Sequence, residues 1–201
     1  MAKSKIAVFA SGTGSNYDAI INQINTGTLD CEVALLICDK PEAEVIKKAK
    51  INQTPVFTFN PKQYESKALF EKEIVFELKQ RDIEWIILAG YMRLIGPTLL
   101  SEYESRIVNI HPSLLPAFPG KDAIGQAFEA GVRVTGVTIH FVDEGMDTGE
   151  IIDQEAVRVD LDDTRLTLQQ KVQKVEHRLY PQTIQKLITN QNRAIERGTK
   201  A

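Results

Sequence analysis

The feature that most constrains this fold is a series of short apolar runs, each separated from the next by a segment with helical periodicity. The runs lack the polar alternation of a strand with one solvated face, which is typical of strands buried on both faces of a parallel sheet. Strands are expected at 5–10, 31–38, 55–59, 83–89 and 106–110, and helices at 17–24, 42–50, 64–81 and 97–103. This alternation predicts an α/β fold with a doubly wound, mostly parallel sheet.

The pattern changes after the fifth strand. The elements expected there are a helix at 122–130, strands at 132–142 and 151–159, and a terminal helix at 165–190. The acidic segment 143–149 is too short for a crossover helix, so the two strands around it are expected to be antiparallel neighbours. Pro181 is a candidate break in the terminal helix. Because no linker or repeat divides the chain, a single domain is expected over 1–201, with lobes at about 1–100 and 101–201.

Composition and charge exclude several classes of function. The net charge of −3 and the pI near 5.7, without a basic block, give no reason to expect a nucleic-acid partner. No apolar stretch approaches the ~18 residues of a membrane span. Cys31 and Cys38 stand at opposite ends of one expected strand, too far apart to form a disulfide. Unpaired cysteines and the lack of a signal peptide pattern predict a cytoplasmic protein.

A glycine-rich segment, 12–16, joins the first strand to the first helix. Glycines allow a tight turn, and the amides of a helix N-terminus attract phosphate, so a phosphate-bearing ligand is expected here. Two alternatives stay open. Ser15 or Asn16 could serve only as the helix cap. A dinucleotide is disfavoured because Tyr17 replaces the third glycine of the fingerprint, but Asp39 after the second strand keeps it open.

Asn109 and His111 stand two residues apart at the carboxyl end of the fifth strand. Residues at this spacing share one face of a strand, and open α/β sheets bind ligands at this edge. An amide donor beside a titratable ring suits a reaction in which a carbonyl oxygen gains negative charge and a proton moves. The loop that follows is stiffened by Pro112, Pro116 and Pro119. Asp147, in the acidic segment, could fold back over the same point.

Three neighbouring features have weaker interpretations. Asp143, Glu144 and Asp147 lack the ligand alternation of a calcium loop and have no second histidine nearby for zinc, so no metal is expected. His140 could be a hydrogen-bonding partner of the catalytic residues or a core histidine. The segment 89–96, after the fourth strand, could wall a flat aromatic ligand or simply pack a strand-to-helix turn.

Together these motifs resemble the phosphoribosylglycinamide formyltransferase family, a folate-dependent branch of the formyltransferase superfamily. The resemblance covers essentially the whole chain through 12–16, 89–94, 109–116 and 143–149, with Glu176-His177 and Tyr180-Pro181 in the last helix. It implies a Rossmann-like formyltransferase fold and no metal. It also implies transfer of the formyl group of 10-formyltetrahydrofolate, as co-substrate, to the amine of 5-phosphoribosylglycinamide, giving the N-formyl product and tetrahydrofolate in purine (IMP) biosynthesis.

The resemblance also implies roles for individual residues. Asn109, His111 and Asp147 are expected to be catalytic. Binding of phosphoribosylglycinamide is expected from Gly14, Ser15, Asn16 and Glu176. Binding of folate is expected from Met92, Arg93, Leu94, Ile95, Asn109, Asp143, Glu144, Gly145, Met146 and Asp147. Lys67, the weakest assignment, stands where some relatives have an arginine that reaches the folate, and lysine lacks the planar fork. Glu150 stands where many relatives have proline.

Two other functions remain alternatives at this stage. One is formyl transfer to a different amine, and the other is a non-catalytic module that binds a phosphate ligand. The second would leave Asn109, His111 and Asp147 without a purpose. The expected partners are small-molecule substrates, with neither nucleic acid nor membrane, and the sequence leaves a homodimer open.

Overall fold

The computed structural model describes residues 3–198, and the side chains of residues 3–190. The strands are β1 (Ser4–Phe9), β2 (Cys31–Cys38), β3 (Val56–Thr58), β4 (Trp85–Leu88), β5 (Ile107–His111), β6 (Val134–Phe141) and β7 (Ile151–Arg158). The helices are α1 (Ser15–Asn25), α2 (Glu44–Ile51), α3 (Lys67–Gln80), α4 (Pro97–Glu102), α5 (Ala123–Glu129) and α6 (Arg165–Gly198), with a 3-10 turn at Pro61–Gln63. None of the helices within 3–198 combines the length and apolarity that a bilayer crossing demands.

All seven strands form one sheet in the order β3-β2-β1-β4-β5-β6-β7. The pairs from β3 to β5 are parallel, whereas β6 runs antiparallel to β5, and β7 antiparallel to β6. The doubly wound, mostly parallel sheet with antiparallel strands near the C-terminus is therefore confirmed. The strand order reverses at β1 and β4, and this switch point is where such sheets bind ligands.

Helices cover both faces of the sheet, which explains the continuously apolar strands. In β1, Ile6 and Val8 face a core shared with α1, α2 and α6, while Ala7 and Phe9 face a second core under α3 and α4. Neighbouring residues of a strand point to opposite faces, so a strand buried on both faces cannot alternate with polar residues. Cys31 and Cys38 are both buried and free, as expected.

Two helices begin later than the sequence pattern predicted. Helix α2 starts at Glu44 because residues 41–43 form a turn. Helix α3 starts at Lys67 because the Asn60 side chain accepts a hydrogen bond from Lys62 N and sets up the 3-10 turn. In both places a proline stabilises a local turn before the helix.

The candidate break at Pro181 was wrong, because α6 continues through it. The neighbouring Tyr180 is fully buried, and its hydroxyl lies 2.9 Å from the carbonyl oxygens of both Leu88 and Val108. These contacts and the burial of Pro181 itself hold this part of α6 against the ends of β4 and β5. Tertiary packing therefore outweighs the helix-breaking tendency of proline at this position.

Candidate active site

A cleft of about 680 Å³ opens at the carboxyl ends of β4 and β5 and extends to the N-terminus of α1. It is of the size that binds small organic ligands. Asn109, His111 and Asp147, predicted from two distant parts of the sequence, all line it. The convergence that the sequence could only suggest is therefore present in the fold.

Asn109 is held by His140, its direct partner across the β5–β6 pair. Asn109 Nδ2 lies 3.1 Å from His140 Nε2, and His140 Nδ1 lies 2.7 Å from Phe141 O. Because a carbonyl oxygen can only accept, His140 Nδ1 carries the proton and Nε2 accepts from the amide. Both interpretations of His140 therefore hold, since it is buried in the core and is also a hydrogen-bonding partner of Asn109. This bond leaves the second N–H of Asn109 for a ligand.

His111 is oriented from both of its ring nitrogens. Its Nε2 donates to Phe118 O at 2.9 Å, and its Nδ1 lies 3.3 Å from Asp147 Oδ2. A carbonyl oxygen beside one nitrogen and a carboxylate beside the other fix the plane of the ring. The ring is only 4% exposed, so this arrangement is shielded from solvent. The contact with Asp147 is longer than a typical charge-assisted bond, which leaves Nδ1–H free to share with a ligand.

Asp147 is the negative charge of the site. Burial alone raises the pKa of Asp147, but the His140 ring, the Gly120 amide and the His111 ring together lower it below its ordinary value. The Gly120 N–H donates to Oδ2 at 2.7 Å, and His140 Nε2 lies 3.7 Å from Oδ1. Asp147 is therefore a carboxylate at neutral pH.

The loop after β5 is tied to β6, and sequence reasoning missed this support. Thr138, paired with His111 in the β5–β6 ladder, donates to Ser113 O at 2.7 Å and accepts from Leu115 N at 3.0 Å. Gln154 adds a hydrogen bond of 3.0 Å to Leu115 O. These bonds fix the loop whose Phe118 carbonyl orients His111. No sequence signal identifies them without the strand register.

The glycine-rich segment forms the start of α1. Gly14 is the N-cap, with a φ of 78°, and no side chain caps the helix. The alternative in which Ser15 or Asn16 serves as the cap was therefore wrong, since both lie within the first turn. A Cβ at Gly14 would lie 2.5 Å from Val45 Cγ2, so glycine is required here by backbone and by space.

Asn16 and Glu176 line the end of the cleft at the glycine-rich segment 12–16, the expected phosphate loop. Each is 8% exposed, and Asn16 Oδ1 has no hydrogen-bond partner among the side chains and backbone that the structure describes. Burial raises the pKa of Glu176 to about 7, against the opposing effect of a hydrogen bond from Asn16. A buried polar atom without a partner is costly, so Asn16 Oδ1 is prepared for a ligand that supplies a donor. Gly14 and Ser15 are not part of this lining.

The expected folate wall forms the other part of the cleft. The lining residues there are Met92, Arg93, Leu94, Ile95, Asp143, Gly145 and Met146. Large apolar side chains facing an open cleft indicate contact with an apolar or aromatic ligand. Asp143 instead orders its own loop, since its Oδ1 accepts from Gly145 N and Thr148 Oγ1. Within 3–198, no group of three metal-ligating side chains converges.

Two predicted folate residues lie elsewhere. Lys67 is the exposed first residue of α3, and it is not among the residues that line the cleft. Glu144 is exposed on its loop and also lies outside the lining. Glu150 is exposed, and its carbonyl accepts from Phe141 N at 2.9 Å, which closes the β6–β7 hairpin without a proline.

The chain as a whole is similar to proteins of known sequence and structure. A family model described as formyl transferase matches residues 4–184. The chain is 55% identical over 189 residues to a phosphoribosylglycinamide formyltransferase of Bacillus subtilis (strain 168), covering 94% of this chain and 97% of that protein.

Solved structures agree with this. The phosphoribosylglycinamide formyltransferase of Bacillus halodurans is similar with a TM-score of 0.90 and 59% identity, covering 92% of this chain and 95% of the other. Glycinamide ribonucleotide transformylase 1 of Geobacillus kaustophilus has a TM-score of 0.90 and 57% identity, covering 92% and 99%. The similarity therefore spans nearly the whole fold.

Proposed function

The chain belongs to the formyl transferase family, and from this premise we propose that it transfers the formyl group of 10-formyltetrahydrofolate to the amine of 5-phosphoribosylglycinamide. The products are the N-formyl compound and tetrahydrofolate, in purine biosynthesis. The observation that carries the proposal is the convergence of Asn109, His111 and Asp147 in one cleft, between the phosphate-loop end and an apolar wall.

The proposed catalytic groups are placed to stabilise the charges that develop during this reaction. The lone pair of the glycinamide amine attacks the formyl carbon, a C–N bond forms, and the carbonyl electrons move to oxygen. The Nδ2–H of Asn109 that His140 does not use and the Nδ1–H of His111 are the donors for that oxyanion. Asp147 stabilises the imidazolium through opposite charge.

Collapse of the oxyanion then breaks the bond between the formyl carbon and the folate nitrogen. The attacking nitrogen must lose a proton, and the departing nitrogen must gain one. We assign this transfer to a water held by Asp147, whose depressed pKa keeps it an acceptor at neutral pH. His140 holds Asn109 in place during the transfer.

The binding roles follow from the two ends of the cleft. At one end, the amides of Gly14, Ser15 and Asn16 are suited to the phosphate of phosphoribosylglycinamide because they begin a helix. Glu176 and the unpartnered Asn16 Oδ1 are suited to its hydroxyl and amide groups. At the other end, the wall from Met92 to Ile95 is suited to the flat folate ring.

The setting of this activity is also a proposal. We place it in a single domain in a reducing cytoplasm, supported by one continuous sheet and by two buried free cysteines. Burial raises the pKa of the Cys31 thiol to about 12, so it is inert as a nucleophile. Sedimentation measures whether the protein forms a homodimer.

The test is to mix the protein with 10-formyltetrahydrofolate and a panel of amines, and to follow loss of the formyl group by absorbance. Phosphoribosylglycinamide should be consumed with equal release of tetrahydrofolate, while free glycinamide and amino-sugar nucleotides should not react. Faster transfer to another amine would overturn the substrate assignment. Binding of phosphoribosylglycinamide without release of tetrahydrofolate would support the non-catalytic module.

A further inference from the structure

Asp39 is a buried carboxylate that the proposed mechanism does not use. It directly follows β2 and is only 7% exposed. The neighbouring strands β1 and β4 lead into the phosphate loop and the folate wall, respectively. Since these three parallel strands end at the same edge of the sheet, Asp39 stands where both substrate subsites begin.

One oxygen of Asp39 is linked to both loops through Ser11. Ser11 Oγ donates to Asp39 Oδ1 at 2.6 Å and accepts from Met92 N at 3.0 Å. The Ser11 N–H also donates to Gly90 O at 3.1 Å. Ser11 precedes the glycine-rich segment, and Met92 opens the folate wall. The hydroxyl therefore joins the two segments directly, and Asp39 fixes its orientation.

The second oxygen of Asp39 faces the folate wall directly. Arg93 Nη1 lies 3.8 Å from Asp39 Oδ2, and the guanidinium also sits 5.7 Å from the centroid of the Phe70 ring. The buried carboxylate thus has a hydroxyl donor on one oxygen and a cation on the other. Removal of the carboxylate would leave both partners without a counterpart.

We propose that Asp39 is a positioning residue that holds the phosphate loop and the folate wall in a fixed relation to each other. This rests on the proposed function only in naming the two ligands. It also explains why an acidic residue follows the second strand without any dinucleotide: the dinucleotide alternative requires a carboxylate free to bind a ribose, and this one is buried and bonded to Ser11.

Asparagine at this position cannot replace the carboxylate. An amide presents one oxygen and one NH₂ group, so it cannot accept from Ser11 and also face Arg93 with an oxygen. Asp39→Asn should therefore disturb both segments with almost no change in volume. A partner variant, Arg93→Met, removes the charge that faces Asp39 Oδ2 from the folate wall.

Two carboxylates provide matched controls. Glu71 is equally buried, but its Oε1 accepts from Gly96 N at 2.6 Å, at the far end of the folate wall and away from the phosphate loop. Glu71→Gln should affect the folate side alone. Asp30 precedes β2 at the opposite edge of the sheet, and its side chain is 73% exposed. Asp30→Asn removes the same charge without touching either segment.

The kinetic experiment measures kcat and both KM values at equal concentrations of folded protein. Asp39→Asn should raise the KM of both substrates by roughly tenfold, the effect of losing one hydrogen bond to a charged group, with kcat within a few-fold of wild type. Glu71→Gln should raise the KM of folate alone, and Asp30→Asn should leave both KM values unchanged. In the Arg93→Met background the amide oxygen has only Ser11 to serve, so Asp39→Asn should add little to either KM.

Amide hydrogen exchange in the ligand-free protein provides a readout that needs no substrate. Asp39→Asn should speed exchange at Met92 and Ser11, and Glu71→Gln should speed it at Gly96. Wild-type exchange at Met92 and Ser11 in the Asp39→Asn protein would overturn the proposal. So would a lower kcat with both KM values unchanged. If the wild type fails to formylate phosphoribosylglycinamide, the proposed function fails, and exchange alone still decides the role of Asp39.

Discussion

Glu176 should make the protein less stable at neutral pH than an uncharged residue would. It is 8% exposed on α6, and burial raises the pKa of its carboxyl from 4.5 to about 7. The folded state therefore holds this proton more tightly than the unfolded state. Stability from this group is complete below pH 4.5 and is lost as the pH rises through about 7.

The magnitude follows from the difference between the two pKa values. The gap from 4.5 to about 7 corresponds to roughly 3 kcal/mol of unfolding free energy at pH 8, where both states are ionised. Glu176→Gln keeps the shape and the contact with Asn16 but cannot ionise. It should match wild type near pH 4 and exceed it by roughly 3 kcal/mol at pH 8, or roughly 6–12 °C in Tm.

Urea unfolding at pH 4, 6 and 8 is the assay, with exposed Glu129→Gln at the end of α5 as the control. The advantage of Glu176→Gln should grow with pH, while the control follows wild type throughout. The same variant should bind phosphoribosylglycinamide more weakly, because the ligand loses a charged acceptor. A variant no more stable than wild type at pH 8, or one more stable only in acid, would refute the reasoning.

Three further substitutions test other parts of the structure by urea unfolding and steady-state kinetics. Gly14→Ala should cost roughly 2–4 kcal/mol of stability, because the φ of 78° is left-handed and the new Cβ would meet Val45, whereas Gly12→Ala has open space and should be neutral. Asp147→Asn should lower kcat by roughly 10²–10⁴-fold. The pKa of Asp147 is lowered below 3.8 in the folded protein, so the ionised carboxylate stabilises the fold above that pH. This contribution is lost as the pH falls through the folded-state pKa. Wild type should therefore be more stable than Asp147→Asn at neutral pH, and the difference should disappear in acid. Tyr180→Phe should cost roughly 1 kcal/mol with both KM values unchanged, since it removes the buried hydroxyl that bonds the carbonyls at the ends of β4 and β5; unchanged stability would contradict that.

The sheet was predictable because a strand that is covered on both faces is apolar at every position. Both faces of β1 are covered, so it needs four consecutive apolar residues, Ile6, Ala7, Val8 and Phe9. Neither a helix nor a strand with one solvated face requires such an unbroken apolar run. The beginnings of α2 and α3 were not predictable, since they depend on local turns around Pro41 and Pro61. Helical periodicity continues into those turns without marking where the helix starts.

The site was predictable where its residues are neighbours along the chain. Asn109 and His111 share a strand face by their spacing alone. The bond from Asn109 to His140 depends on the β5–β6 register, and the orientation of His111 depends on the Phe118 carbonyl. Every residue has a backbone carbonyl, so the sequence does not show which one bonds His111. The register that pairs Asn109 with His140 depends on the packing of the whole sheet. Lys67 stands outside the lining of the cleft, and its contact with folate stays a prediction.

The most direct test of the central claim is the rate of formyl transfer at saturating concentrations of both substrates in Asn109→Ala and His111→Ala. Each variant should lose roughly 10²–10³-fold in kcat, since each removes a donor to the oxyanion. The KM of phosphoribosylglycinamide should stay near that of wild type, because its phosphate is held at the other end of the cleft. Near-normal kcat in either folded variant would contradict the account.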